Sequence, residues 1–72
     1  MYYETFCEKL KKARNDAGYS QREVADFLKV KQPTYAGYET GRTQPDIEML
    51  GKIADLLCVS LDWLIGTKGD NQ

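Results

Sequence analysis

The sequence predicts an all-α fold, and three observations carry that expectation. Between Ser20 and Gly41 two short helical patterns stand only two residues apart, separated by Lys29 and Val30. Further on, Ile47, Leu50, Ile53, Ala54 and Leu57 recur at i, i+3 and i+4, the stripe of a core-facing helix. Near the start, Phe6, Leu10, Ala13 and Ala17 form one apolar helix face, flanked by Cys7 and Tyr3.

Taken in order, the first helix covers residues 5–17. Its other face is charged, with Glu8, Lys9, Lys11, Lys12 and Asp16, and Glu8 precedes Lys12 in the favourable i, i+4 orientation. Gly18 stops it in the C′ manner. Ser20 can cap the next helix by accepting an N–H of its first turn, and Ser-Gln-Arg-Glu has the form of a capping box. That helix runs over residues 21–28, with Val24, Ala25, Phe27 and Leu28 at helical spacing. The third helix covers residues 32–39 and ends near Gly41. Pro33 falls in its first turn, where a missing N–H costs nothing. Tyr35 and Tyr38, at i and i+3, read as core rather than as base-stacking residues. Two helices this short with so short a link form a helix-turn-helix unit. Asp46 caps a fourth helix that runs to Leu57, and Cys58 and Val59 form a break. Ser60 caps a last helix over residues 61–65, ended by Gly66. Leu61 and Leu64 turn inward there, and a helix so short cannot bury Trp63 and Ile65 as well. An exposed aromatic beside an apolar residue suggests an interface; the other reading lays Trp63 over the small core. Residues 67–72 read as a frayed tail.

Seventy-two residues allow one domain and one small core. The net charge of −1 gives no global pull towards nucleic acid, but it is unevenly spread. Residues 1–19 and 20–44 each sum to +1, and residues 45–72 to −3. This spread allows a ligand-facing basic surface on the first two segments, with acid on the far side; the other reading, a mixed and solvated surface, is slightly favoured by charge alone. No apolar run approaches the roughly 20 residues that span a bilayer, and the N-terminus lacks the layout of a signal peptide. A cytoplasmic location is the expectation. Cys7 and Cys58 lie far apart and the chain has no histidine, so no metal site is expected and both cysteines read as reduced packing residues. Nothing implies a cofactor or a small-molecule ligand. An enzyme is not expected, for want of a nucleophile with a base at motif spacing or room for a catalytic pocket.

The pattern SQxxVAxxLxVxxxTYxxYExGxxxP, with Gln21, Ala25, Val30, Glu39, Gly41 and Pro45 in register, resembles the helix-turn-helix of the Cro and phage-repressor family, also called the xenobiotic-response-element type. The likeness extends over about residues 10–66. It implies a compact five-helix lambda-repressor-like DNA-binding domain over residues 1–66, with the helix-turn-helix at helices 2 and 3 and a flexible tail over 67–72. It also implies a transcriptional regulator that binds double-stranded DNA as a dimer, a repressor of a palindromic operator.

The resemblance assigns roles residue by residue. Arg14 and Glu39 would form a partly buried ion pair that fixes the first helix against the third. Gln21, with Arg22 beside it, would contact phosphate at the start of helix 2. Helix 3 would enter the major groove and present Lys31, Gln32, Thr34, Ala36 and Gly37 outward. Gln32 is the best base reader, since its amide can grip adenine N6 and N7; Thr34 offers a hydroxyl and a methyl, Ala36 a contact for a thymine methyl, and Gly37 almost nothing. Arg42, Thr43 and Gln44 would follow a phosphate strand, Arg42 most strongly as a planar multi-donor cation. Trp63 and Ile65 would meet a second copy, setting two recognition helices about one DNA turn apart, ~34 Å.

The turn departs from the family pattern. Lys29 stands where glycine is favoured, and a left-handed lysine costs roughly 1–2 kcal/mol. Lys31 stands where Ser or Thr usually caps. Both add positive charge at the outward edge, which reads equally as phosphate attraction or as drift on a surface turn. A second function remains open: a protein–protein interaction module, such as an antitoxin or adaptor, on the same fold with weak DNA affinity.

Overall fold

The computed structural model describes residues 2–65. Within them it has five helices: α1 (Tyr2–Ala17), α2 (Gln21–Leu28), α3 (Gln32–Thr40), α4 (Ile47–Leu57) and α5 (Leu61–Ile65). Helix α1 begins three residues earlier than the apolar pattern suggests, and α3 runs one residue further. The expected stop at Gly66, the tail over 67–72 and the side chain of Tyr3 lie outside what is described.

The helix starts follow from their caps. Ser20 Oγ accepts from the Glu23 N–H at 3.0 Å, and the Glu23 carboxylate accepts from the Ser20 N–H at 2.8 Å, closing the capping box. Asp46 Oδ1 caps α4 through the Met49 N–H at 2.8 Å, and Ser60 Oγ caps α5 through the Trp63 N–H at 3.0 Å. At the start of α3, Lys31 offers no side-chain cap.

Three helix ends share one geometry. The N–H groups of Gly18, Lys29 and Cys58 bond back to Asn15, Asp26 and Asp55, and those of Tyr19, Val30 and Val59 to Arg14, Ala25 and Ala54. This paired 5→2 and 6→1 pattern is the Schellman motif, which needs a left-handed residue at C′. Only α1 has glycine there; Lys29 takes φ 62° and Cys58 φ 60°. The following residue explains the tolerance. Tyr19, Val30 and Val59 each pack half-buried against the core, so burial of an apolar side chain offsets the strain of the residue before it.

The core draws on every helix. Leu10, Val24, Tyr35, Ile53 and Leu64 are fully enclosed, and Phe6, Ala13, Ala25, Leu28, Tyr38 and Leu57 complete the cluster. Tyr35 and Tyr38 meet edge to face at 5.9 Å, so both tyrosines are core residues. Helix α2 packs chiefly on α3, while α1 lies against α3 and α5. Lys9 ties α1 to α5: its ammonium donates to the Trp63 carbonyl at 3.0 Å and stands 5.4 Å from the indole centroid.

Several apolar positions depart from the stripes that suggested them. Ile47 is 73% exposed, because burial along α4 begins only in its second turn. Ala17 is exposed for the mirror reason, at the last turn of α1. Phe27 lies off the buried arc of α2 and rests against Tyr19, ring centroids 5.4 Å apart. Cys58 is exposed and ends a helix instead of packing, and it forms no disulfide with Cys7, whose thiol donates to the Tyr38 carbonyl at 3.6 Å. Lys12 pairs with Asp16 at 3.0 Å, one turn on from Glu8. No helix among the described residues is long and apolar enough to cross a membrane.

Candidate nucleic-acid interface

The site is built around a buried carboxylate. Glu39 closes α3 with its side chain at 0% exposure, and Arg14 reaches it from α1. Arg14 Nε donates to Glu39 Oε2 at 2.6 Å and its second terminal nitrogen to Oε1 at 3.3 Å. The remaining terminal nitrogen donates to the Tyr19 carbonyl at 2.9 Å, just past the end of α1. Two neutral donors complete the set: Tyr35 Oη at 2.7 Å from Oε2 and Gln21 Nε2 at 3.0 Å from Oε1. Helices α1, α2 and α3 are thus joined at one point whose charge is compensated and hydrogen-bonded, the condition under which a buried ion survives.

The electrostatics follow from that geometry. Burial, the largest influence, pushes the Glu39 carboxyl up; the bonds from Arg14, Tyr35 and Gln21 and the charge of Arg14 outweigh it and hold Glu39 below the usual carboxylate range. The bond to Glu39 raises the Arg14 guanidinium further, against the opposing pull of burial. Burial first, then the bond to Glu39, pushes the Tyr35 phenol well up. Sequence reasoning reached Arg14 and Glu39 but missed the Tyr35 hydroxyl, whose signal was its i, i+4 spacing to Glu39 on one helix. It placed Gln21 at the ligand-facing edge only. Gln21 is half-buried, and its amide has one hydrogen committed to Glu39.

Around this anchor lies an outward surface made by the start of α2, the exposed side of α3 and the loop that follows. Arg22, Lys31, Gln32, Arg42, Thr43 and Gln44 are exposed; Thr34 and Ala36 are half-exposed. Burial of Glu39 changes the local charge. Within residues 20–44 the cations Arg22, Lys29, Lys31 and Arg42 now face solvent against only Glu23 and Asp26, and Glu23 is held in the capping box. Among the described residues none of these four cations makes a side-chain ion pair or hydrogen bond within the chain.

Gly37 does not sit on that surface as expected. It is buried, because the loop after α3 folds back over it. The backbone N–H groups of Gly41, Arg42 and Thr43 all point at the Gly37 carbonyl, at 3.0, 3.0 and 3.3 Å. A Cβ at position 37 would stand 3.2 Å from Thr43 Oγ1 and 3.3 Å from Thr43 Cβ. Glycine here allows a close approach of the loop to the helix, which a side-chain inventory of α3 could not reveal.

A helix-turn-helix family model matches residues 10–64. The chain belongs to the helix-turn-helix family. It is 45% identical over 60 residues to the SPbeta prophage-derived uncharacterized HTH-type transcriptional regulator YonR of Bacillus subtilis, a match covering 83% of this chain and 56% of that protein. It is 37% identical over 59 residues to the cryptic phage CTXphi transcriptional repressor RstR of Vibrio cholerae, covering 82% and 53%. A crystal structure of a transcriptional regulator from Listeria innocua superposes with a TM-score of 0.77 at 36% identity, over 85% of this chain and 57% of the other. The chain thus spans about half the length of these relatives, and the shared part is the helix-turn-helix unit.

In α5, Trp63 is 38% exposed, while Ile65 is half-buried against the core. Trp63 borders an open groove of about 510 Å³ whose lining includes Tyr19, Leu56, Val59 and the exposed Cys58.

Proposed function

We propose that this chain is the DNA-binding unit of a transcriptional regulator, a repressor that occupies a two-fold symmetric operator as a dimer. One observation carries the reading: Arg22, Lys31 and Arg42, cations with no side-chain partner among the described residues, are exposed on α2, at the start of α3 and in the following loop, beside a carboxylate whose charge is internally cancelled. Arg22, Lys31 and Arg42 would bind phosphates, with Gln21, Thr43 and Gln44 beside them, and Gln32, Thr34 and Ala36 would face base edges. The names of the relatives, regulators and a phage repressor, support the same class. Trp63 is the better candidate for the dimer contact, because Ile65 is already half-spent on the core.

Selection of bound duplexes from a random pool tests this, run beside the Gln32→Ala, Arg42→Ala double variant. A two-fold symmetric site recovered by the original chain and lost in the variant is the expected result. No enrichment by folded protein at low salt contradicts it. The groove beside Trp63 and the net charge of −1 favour a protein-interaction module instead, and that reading would then stand first.

A further inference from the structure

We infer that Thr43, a loop residue, takes the place on the recognition surface that a side chain at position 37 of α3 would otherwise hold, and reads a base edge there. The inference rests on the DNA-binding reading above and goes beyond its assignment of Thr43 to phosphate. Position 37 is on the side of α3 turned away from the buried Tyr35, Tyr38 and Glu39, yet Gly37 is itself covered. The cover is Thr43, with Oγ1 at 3.2 Å and Cβ at 3.3 Å from where a Cβ would stand. Its backbone is held there by its N–H, 3.3 Å from the Gly37 carbonyl, next to two neighbouring N–H groups on the same oxygen.

The Thr43 side chain remains exposed, and its hydroxyl has no partner among the described residues. Thr43 thereby supplies a donor, an acceptor and a methyl group at the level of α3 where the helix itself supplies none. A hydroxyl can bond either edge of a base pair and a methyl can meet that of thymine, so the group is chemically fit to discriminate. Gly37 is then a positioning residue: its lack of a side chain admits Thr43.

The two roles of Thr43 separate cleanly in binding. A phosphate contact weakens all sequences uniformly when lost, whereas a base contact relaxes preference at one position. The test measures base preferences at every position of the selected site for the original chain, Thr43→Val, Thr43→Ser and Gly37→Ala. The expected result is a drop of about tenfold in discrimination at one position per half-site in Thr43→Val. That position is retained in Thr43→Ser and shifted in Gly37→Ala. Uniform weakening in Thr43→Val, with every preference intact, would overturn the inference while leaving the DNA-binding reading in place. Absence of any selected site for the original chain would overturn both. Thr43 is exposed in a loop, so thermal unfolding of the valine variant should match the original.

Discussion

The two sides of α3 treat their polar groups in opposite ways. On the inward side, Glu39 is fully buried and receives hydrogen bonds from Arg14, Tyr35 and Gln21. On the outward side, Lys31, Gln32 and Arg42 are exposed and make no side-chain bond within the chain among the described residues. The contrast separates geometry from recognition. Groups satisfied internally set where the helix lies; groups left over can meet a ligand. The inward network also removes one negative charge from the outward field, so the same carboxylate that orients α3 does not repel an anionic partner.

Breaking the inward side has the largest effect. Glu39→Ala strands the Arg14 charge and should cost roughly 3–5 kcal/mol in urea unfolding. Replacing both partners by apolar residues should recover much of that loss, since no charge is then left buried. The network also sets the acid response. Because Glu39 is held below the usual range when folded, its contribution is present above the pKa of a free glutamate, about 4.3, and is lost as pH falls through the lower folded value. Unfolding followed by pH titration should show that decline, and Glu39→Gln should remove this component.

A smaller contrast runs along α4. Ile53 is fully enclosed and Ile47 is 73% exposed, although both fall on one sequence stripe. Ile53→Ala should cost about 2–5 kcal/mol and Ile47→Ala less than about 0.5, measured by the same unfolding curves. Effects of intermediate size lie in the turns. Lys29→Gly and Cys58→Gly, at φ 62° and 60°, should each raise stability by about 1 kcal/mol, since glycine relieves the left-handed strain at a lesser entropic cost.

These contrasts also mark how far the sequence could be read. All five helices were legible, since Ser20, Asp46 and Ser60 announce their caps and the apolar spacings announce their faces. The left-handed turn at Lys29 came through the family likeness, which favours glycine there. Periodicity reports which side of a helix is apolar but not where its neighbours end, so Ile47 and Ala17 passed for core. The ion pair of Arg14 and Glu39 came through the family likeness, whereas the Tyr35 hydroxyl needed side-chain geometry. Gly37 was misplaced for a related reason: a helical projection shows its outward direction, and the loop returning over it has no periodic signature.

The central claim is that the exposed cations around α3 serve DNA while the buried network serves the fold. The most direct measurement is the salt dependence of affinity for the selected duplex, in the original chain and in Arg42→Ala. The account predicts a steep fall of log K with log salt, a slope shallower by about 1 in Arg42→Ala, and unfolding free energies within about 0.5 kcal/mol of each other. A slope near zero in the original chain, or one unchanged in the variant, would contradict it.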